Sequence, residues 1–600
     1  MSLIARLAAF IGLTIWLLPL SSPLARAAGG TLKHGSLLEL GAGEFPDLTR
    51  AERALLVYAD VRSRAPGDFA IAGTSAVSTD PSNDPMHADR WDHQRDVRAE
   101  LIRWLAVDPD ASHMVDPRGI RLLGARITGK LDLSHVNMPF GLALIRCVIP
   151  EQIDLDSIVI PKLNLAASAA GEIYAPSISV HGDADIGWDG HDYGNQFSAS
   201  GEVYAPAATV DGDFSFRGGR FHSSKIELGI GGEPFGPGAA IDLSGARIKG
   251  NVTMCCDLRA KGRVTLDGSD IDKDLLLFAG HFTNPGNVAL DALGAKIGES
   301  VVMSEFPPYG EFEANGLVSF VTAHVGNLFY VHRAHFSGKA NDTFGLDASG
   351  LRAETLFWQN VDLADGGMLK LTGASVYGFN DDIQSWPKRG RLFIDDLEYH
   401  GIGPPNDART RLRWIALQPP PYRPQPYREL AKFLADSGDA NGAAAVMIAL
   451  GDARYSQYGV GGRALGWLLK VTIGYGHRPL LALVWSLAVV MVGWLAVEVG
   501  KRAGLMRETW PENNPSDSKS PYEELSPLLY SLDVFLPFVN LHQEHYWWPD
   551  ARSTRRAKIL GVSFACSGRA LRIYLWLQII AGWLLSAIFV AGVTGLIRND

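Results

Sequence analysis

A repeated pattern between residues 120 and 382 constrains this chain more than any other feature of its sequence. The clearest copy covers residues 241–254, where pairs of apolar residues two positions apart are separated by small or turn-forming residues. Residues 120–133 follow the same pattern. Weaker copies are centred on Ile158, Ile178, Ala208, Ser269, Ala295, Ala323, Leu351 and Ala374. From Ala125 to Ala374 the centres are about 20 to 40 residues apart, which is typical of stacked supersecondary units.

This pattern predicts a β-solenoid. Apolar pairs with a period of two do not form the apolar stripe of an amphipathic helix. One such unit can bury its inner face only against the next unit, so the units are expected to stack. We therefore predict a mainly β protein in which residues 119–383 form a right-handed β-helix, with one coil per repeat.

Composition and charge narrow the class of protein. A chain of 600 residues is too long for one compact core and predicts several modules. The apolar content of 47% and the 64 glycines fit a β array with glycine turns and membrane segments. The net charge of −10 and the lack of a basic stripe argue against nucleic acid as a partner. The cysteines match no zinc or redox motif, and the adjacent Cys255 and Cys256 are interpreted as packing residues.

The N-terminal region predicts an export signal followed by a cap. Residues 1–27 combine a basic residue, an apolar run and the sequence Ala25-Arg26-Ala27, which is the order of a secretory signal peptide. An uncleaved membrane anchor is the alternative. Residues 30–118 predict a helical cap, because Thr49 and Glu52 form a capping-box pattern before an apolar helical face. Such a cap would close the open end of the solenoid.

The C-terminal region predicts a connector, a helical hairpin and a membrane region. Residues 384–426 are rich in proline and are typical of an extended connector. Residues 427–460 predict two short helices. Residues 464–600 form the membrane region, in which 479–499 and 574–597 are each apolar and long enough to cross a bilayer.

The basic residues predict the orientation of the membrane region. Eight of those near the span ends lie in the loop from Lys501 to Arg569, and four lie on the opposite side. Because positive charge favours the cytoplasmic side, we predict a protein of the inner (cytoplasmic) membrane with an extracytoplasmic β-helix. The signal peptide predicts the same orientation. Residues 464–476 are amphipathic and are predicted to lie at the membrane interface.

No motif of a catalytic or cofactor site lies in the context that its chemistry needs. Residues 124–130 have the letters of a phosphate-binding loop, but Leu131 stands where Ser or Thr is required, and the segment lies inside a repeat. Neither a G-x-S-x-G elbow nor an H-E-x-x-H motif is present. We predict no catalytic residue, no cofactor and no enzymatic activity.

The sequence contains one compact cluster of histidine and glutamate. His542 and His545, with Glu544 nearby, could ligate a metal ion. The apolar and aromatic residues on both sides are instead typical of an amphipathic segment at a membrane surface. The metal and the interfacial interpretations both remain open.

Two groups of aspartates could also form a metal site or a catalytic groove. Carboxylates in glycine-rich turns can bind Ca²⁺, and solvated turns explain the same pattern. The residues concerned are Asp183, Asp185, Asp189 and Asp192. A second group could line a groove like that of β-helix polysaccharide lyases, although aspartate is also an ordinary turn residue. Its members are Asp213, Asp242, Asp267, Asp270 and Asp272.

The array and its tail resemble a family of bacterial membrane proteins with degenerate pentapeptide-like repeats. The resemblance rests on the coils at 124–134 and 241–250, on 474–479 before the first span and on 530–541 between the spans. It covers most of the chain after residue 45 and implies a solenoid joined to a two-span membrane region. Some relatives carry oxidoreductase labels, which no cofactor motif supports here. Relatives often lack a signal peptide, which would place their repeats in the cytoplasm.

Three functions follow from these features. The leading hypothesis is a membrane-anchored β-helix with a binding or scaffolding role at the cell envelope. Its partners would be the lipid bilayer and an envelope protein or polymer. The first alternative is a channel-like or signalling protein that uses residues 526–541 between the spans, although no TVGYG filter is present. The second alternative is a β-helix enzyme that acts on polysaccharide.

Overall fold

The chain folds into a parallel β-solenoid of about 11 turns with helices at both ends, which confirms the predicted fold class. The structure is a computed structural model that describes residues 35–63, 67–188, 196–223, 226–228, 234–338, 343–508, 524–559 and 562–594. The predicted signal peptide at residues 1–27 lies outside these ranges.

Two parallel sheets run along the solenoid, with 20 strands each among the described residues. The first sheet contains Ala70–Ile71, Ile120–Leu123, Leu142–Ile145, Val159–Ile160, Leu163–Asn164, Ser179–Val180, Ala184–Asp185, Thr209–Val210, Phe214–Ser215, Arg247–Ile248, Val252–Thr253, Asp270–Ile271, Leu275–Leu276, Lys296–Ile297, Val301–Ser304, His324–Val325, Leu328–His332, Arg352–Gln359, Ser375–Asp381 and Glu398–Ile402. The second contains Asp96–Arg98, Arg126–Thr128, Leu131–Asp132, Val148–Ile149, Ile153–Asp154, Ala169–Ala170, Ile173–Tyr174, Ser198–Ala199, Val203–Tyr204, Arg220–His222, Ala239–Asp242, Arg259–Lys261, Arg263–Thr265, His281–Asp291, Phe312–Ser319, Ala334–Ser337, Gly345–Asp347, Asp362–Leu363, Met368–Lys370 and Leu392–Phe393. Three two-stranded antiparallel sheets pair Ile226–Leu228 with Pro234–Pro237, Met506–Glu508 with Trp547–Pro549, and Thr554–Ile559 with Val562–Ser567.

The described residues also form twelve α-helices, which we number in chain order. They are α1 (Leu37–Glu44), α2 (Arg50–Ala59), α3 (Ala99–Val107), α4 (Pro109–Met114), α5 (Ala408–Ile415), α6 (Gln425–Asp436), α7 (Ala440–Ser456), α8 (Val460–Ile473), α9 (Leu480–Arg502), α10 (Pro527–Phe535), α11 (Gln543–Tyr546) and α12 (Gly568–Val593). Short 3₁₀ helices lie at Pro81–Asn83, Pro85–Arg90, His93–Arg95 and Gly474–Gly476.

The strand register confirms that each repeat forms one coil. Ser179 pairs with Val159 in the preceding coil and with Thr209 in the following one. The same ladder continues through Arg247, Asp270, Lys296, His324, Arg352 and Ser375. The residue just before each ladder position is a predicted repeat centre, and all of these centres from Ile158 to Ala374 are buried. Ala125 is the exception, because the strand that follows it pairs with Val148 in the second sheet.

The coils form because buried side chains recur at alternating intervals of two and three residues. Between Ile153 and Val180 these side chains include residues 153, 155, 158, 160, 163, 165, 168, 170, 173, 175, 178 and 180. A step of two spans a short strand, in which alternate side chains point to the same face. A step of three crosses a corner, and Ser157, Ala167 and Ser177 adopt positive φ at such corners. This five-residue rhythm places an apolar side chain inside the coil on every side.

The N-terminal helices close one end of the solenoid and add its first strands. Ala70–Ile71 pairs with Ile120–Leu123, and Asp96–Arg98 pairs with Arg126–Thr128. The predicted capping box of α2 is present, with reciprocal bonds between Thr49 and Glu52. Burial alone would raise the pKa of Glu52, but hydrogen bonds from Arg98 and from the Thr49 amide lower it. The cap is therefore anchored to the array by strand pairing and by a buried carboxylate.

The solenoid extends one coil beyond residue 383, where the array was predicted to end. Leu392–Phe393 pairs with Met368–Lys370, and Glu398–Ile402 pairs with Ser375–Asp381. The predicted connector at 384–426 therefore contains this last coil and α5. The reason is that Leu392, Ile394 and Leu397 are buried at the same intervals of two and three residues as the side chains of the other coils.

Helices α5 to α7 cover the last coil, and α6 and α7 form the predicted hairpin. Arg411 of α5 is buried, and its guanidinium donates to the two carboxylate oxygens of Asp381 at 2.9 and 2.6 Å. One continuous apolar core runs from Leu37 in the cap to Val446 in α7. The solenoid and its two helical ends therefore share a single core.

Two helices of the C-terminal region have the length and composition to cross a membrane. The most apolar window has a mean hydropathy of 2.5 in α9 and 2.0 in α12, and only 22% of each window is buried. The core helix of a soluble protein would bury most of this surface, so the exposed apolar surface indicates membrane association. The predicted spans were 479–499 and 574–597. α12 begins six residues earlier than predicted, at Gly568, and residues 595–597 lie outside the described ranges.

Candidate functional sites

A short helix, α10, is inserted between the two apolar helices. The Lys501 ammonium at the end of α9 donates to the Leu525 carbonyl at 2.7 Å, just before α10 begins. Further along α10, the Ser531 hydroxyl donates to the Val490 carbonyl at 2.7 Å. At 1.5 Å per residue, Val490 lies about 18 Å along α9 from Arg502. The segment predicted to lie at the membrane surface therefore reaches the middle of the helix pair.

Small and polar residues make this insertion possible. A Cβ atom on Gly493 of α9 would lie 2.3 Å from the Ser531 hydroxyl oxygen, and one on Gly582 of α12 would lie 2.0 Å from the Phe535 carbonyl oxygen. The Gln578 amide donates to the Ser531 carbonyl at 2.8 Å and to its hydroxyl at 2.9 Å. Close helix approach at glycine, with hydrogen bonds between helices, is characteristic of packing inside membranes.

After α10 the chain turns back to the end of the helix pair at which α9 ends. Buried Asp533 accepts hydrogen bonds from the backbone amides of Leu541 at 2.6 Å and Glu544 at 2.9 Å, which fixes the return turn. The strand Trp547–Pro549 pairs with Met506–Glu508, which follows the end of α9. Residues 526–549 therefore run along α9 and α12 and return to the end where they began, and we call them the re-entrant segment. Within it, residues 536–541 are not helical, and Phe538 is 81% exposed.

The predicted metal candidates lie just after this turn. The His542 and His545 rings are edge to face, with centroids 6.1 Å apart. Within the ranges that the structure describes, no group of three or more His, Cys, Asp or Glu side chains is placed to hold a metal ion. The residue that sequence reasoning missed is Asp533, and an acidic residue within an apolar helix was the signal for it.

The five aspartates proposed to line a groove do not share one face of the solenoid. Asp242 belongs to a strand of the second sheet and Asp270 to a strand of the first. The Asp213 carboxylate accepts a hydrogen bond from the Asn251 amide at 2.8 Å, and that of Asp267 accepts one from the Leu293 amide at 3.2 Å. The Asp242 carboxylate accepts a hydrogen bond from the Ser244 backbone amide at 2.8 Å. The Asp213 and Asp267 bonds join successive coils, and the Asp242 bond stabilises a local turn.

The other sequence candidates on the solenoid are parts of coils. Residues 124–130 contain the strand Arg126–Thr128, and the next element is the strand Leu131–Asp132 and not a helix. Lys130 forms an ion pair with Asp154 at 2.7 Å. Asp183 pairs with Lys162 at 3.0 Å. Burial raises the pKa of Asp185 to about 6, against the opposing charge of Arg217. Asp189 and Asp192 lie outside the described residues.

Cys255 and Cys256 are both buried, as the packing interpretation predicts, and they are also joined by a disulfide bond. The reason is their adjacency at a corner, where both side chains are buried together.

Near this corner lies an aromatic patch that consists of Trp188, Phe278, Phe306 and Tyr309. The Phe306 and Tyr309 rings are stacked at 5.9 Å, Phe306 lies 4.7 Å from Phe278, and Tyr309 lies 6.3 Å from Trp188. Phe306 is 43% exposed. The patch joins side chains from three separate segments of the array, which no local sequence pattern indicated.

Comparison with known protein families, curated proteins and solved structures finds no match to this chain in any of the three.

Proposed function

We propose that this protein is a membrane-anchored β-solenoid that binds or organises a partner at the cell envelope. The observation that carries the proposal is the single core that joins cap, solenoid and helical hairpin. Only short helices separate this body from α9, so the solenoid is held as one rigid unit beside the membrane. A rigid solenoid with an extended side surface is the form that repeat proteins use for binding.

The aromatic patch is the contact site that this proposal assigns. Aromatic residues are enriched at protein interfaces, where their large apolar area is buried by the partner. Phe306 lies in a loop next to Glu305. The Glu305 carboxylate forms an ion pair with the Arg333 guanidinium at 2.6 Å, which stabilises this loop. The partner would be an envelope protein or polymer that covers the exposed ring faces.

The location in the inner membrane, with the solenoid outside the cytoplasm, is part of the same proposal. The signal-peptide pattern and the excess of basic residues between the spans support it. The Cys255–Cys256 disulfide also supports it, because disulfides persist in oxidising compartments. The resemblance to the pentapeptide-like membrane family, which we propose as the family of this chain, fits the same architecture.

In-cell crosslinking tests the contact site. A photo-reactive amino acid is placed at position 306 or, as a control, at position 377, where Tyr377 is 66% exposed away from the patch. We expect a discrete adduct from position 306 only, and its loss in the Tyr309→Ala variant. Equal adducts from both positions, or none from position 306, would contradict the assignment. A protease site inserted after Asp365 reports orientation, because an extracytoplasmic solenoid is cleaved in spheroplasts with intact membranes.

The re-entrant segment favours a second candidate, a channel-like oligomer. Irregular backbone at membrane depth occurs only where protein covers it or where it lines a water-filled cavity. Residues 536–541 reach that depth, yet Phe538 and Val539 are exposed. A second copy of the chain packed against this segment would supply the cover, and residues 536–541 of several copies would then surround an aqueous path.

Conductance in planar bilayers tests this candidate. Gly582→Leu would push α10 out of its position and should abolish conductance, whereas Ile580→Leu on the exposed side of α12 should preserve it. Absence of conductance from the purified wild-type oligomer, or equal conductance in both variants, would exclude the candidate.

A further inference from the structure

A cavity of about 480 Å³ lies where the helical hairpin meets the helix before the first span. Its charged lining comes from Arg428 of α6 and Arg454 of α7, and His477 adds an imidazole ring. Tyrosines 422, 455 and 475 supply most of its aromatic lining. The cavity therefore brings positive charge, hydroxyl groups and ring faces together around one open volume.

The two arginines of this cavity are not neutralised. Among the described residues, neither guanidinium forms an ion pair or a side-chain hydrogen bond. Asp452, which adjoins the cavity, is already engaged by the Lys470 ammonium at 2.7 Å and by the Tyr475 hydroxyl at 3.0 Å. Both arginines act electrostatically on Tyr422, whose pKa is nevertheless raised by burial. The cavity thus presents two available guanidinium groups and a protonated hydroxyl.

Two stacked tyrosine rings form one wall of the cavity. The Tyr455 and Tyr475 rings are stacked at 5.5 Å with an interplanar angle of 11°. Gly451 gives them room, since a Cβ atom there would lie 2.5 Å from the Tyr475 ring. Tyr475 itself has a φ of 56°, in the left-handed region that non-glycine residues seldom adopt. The chain therefore accepts a disfavoured backbone conformation at the residue that forms this wall.

The cavity lies at the level where a bilayer surface would meet the protein. Leu469 of α8 lines it, and on the same helix Leu465, Trp467 and Leu468 are exposed, Trp467 by 65%. An amphipathic helix with exposed Trp and Leu lies in the headgroup region of a membrane. The Trp485 indole of α9 donates to the Val471 carbonyl at 2.9 Å, which joins α8 to the first span.

We propose that this cavity binds the phosphate of an anionic membrane phospholipid. The planar guanidinium fork matches phosphate geometry with two parallel hydrogen bonds, and two such groups face one cavity. Basic pockets beside membrane helices are suited to lipid head groups. Met447 and Leu469 provide apolar contact for the part of the lipid beyond its phosphate. This site is independent of the aromatic patch and of the re-entrant segment, and it would fix the hairpin to the bilayer surface.

Lipid binding to the full-length protein tests the proposal. Native mass spectrometry in detergent compares phosphatidylglycerol with phosphatidylcholine as probes. The variant Arg428→Gln/Arg454→Gln is compared with Arg409→Gln/Arg413→Gln, which removes the same charge from exposed positions of α5 outside the cavity. We expect the cavity variant to lose at least about tenfold in affinity for phosphatidylglycerol, and the control to stay within about twofold.

Three results would overturn the assignment. Equal binding of phosphatidylcholine would show that the anionic head group is not recognised. Equal loss in the control variant would show that overall charge, and not the cavity, is responsible. Full competition by millimolar inorganic phosphate would assign the cavity to a soluble anion. Arg428 and Arg454 are exposed, so their replacement leaves the apolar core intact, and an unchanged elution volume verifies the fold.

Discussion

The ion pair between Asp381 and Arg411 is expected to hold the C-terminal end of the solenoid closed. The Arg411 side chain is 0% exposed and that of Asp381 is 1% exposed. Asp381 also accepts a hydrogen bond from the Trp386 indole at 2.8 Å, and Arg411 donates to the Gly403 carbonyl at 2.9 Å. Removing one member of such a pair leaves an uncompensated buried charge, which costs about 3 to 5 kcal/mol.

Each single substitution, Arg411→Met or Asp381→Leu, should therefore lower the local free energy of unfolding of the last coil by about 3 to 5 kcal/mol. The double variant Asp381→Leu/Arg411→Met replaces both charges with apolar groups of similar size and should lie within about 1 kcal/mol of the wild type or above it. The two single losses add to at least about 6 kcal/mol and the double variant loses at most about 1 kcal/mol, so the expected coupling energy is at least about 5 kcal/mol.

Hydrogen exchange of the full-length protein measures this effect in the strand Glu398–Ile402. Arg413→Ala on the exposed side of α5 serves as the control and should change little. The reasoning would be refuted if a single variant kept wild-type protection in this strand. It would also be refuted if the double variant lost as much stability as the two single variants together.

Three further predictions concern the array and its cap. The pKa of Asp185 is about 6, against 3.8 for an unperturbed carboxyl, so the wild type loses stability as pH rises through this interval. Asp185→Asn should then stabilise the protein by up to about 3 kcal/mol at pH 7 and by less than about 1 kcal/mol at pH 4, as thermal unfolding would show. The Cys147 thiol is fully buried with a pKa raised to about 12, so it should resist maleimide at pH 8 until the protein unfolds. Thr49→Ala removes the α2 cap and the bond to the Asp96 carbonyl, and should cost about 1 to 2 kcal/mol in chemical denaturation.

The sequence predicted the repeat register well, because the register depends on local spacing. The predicted centres from Ile158 to Ala374 stack in one ladder, since each lies at the same point of the five-residue rhythm. The last coil was missed because prolines on both sides of Leu392–Phe393 indicated a connector. Its apolar rhythm was nevertheless visible in the sequence.

The functional sites depended on contacts that no local pattern records. The apolar stretch that forms α10 is equally compatible with a helix on a membrane surface and with one inside it. Its depth is decided by Gly493, Ser531 and Gln578, which come together from three separate segments. The lipid cavity likewise joins Arg428 to Tyr475 across two helices. Periodicity and hydropathy determined the solenoid, the hairpin and the two apolar helices, because these follow from residues close in sequence. Only the tertiary structure decided where charge and exposed aromatic rings converge, because that depends on how distant segments pack.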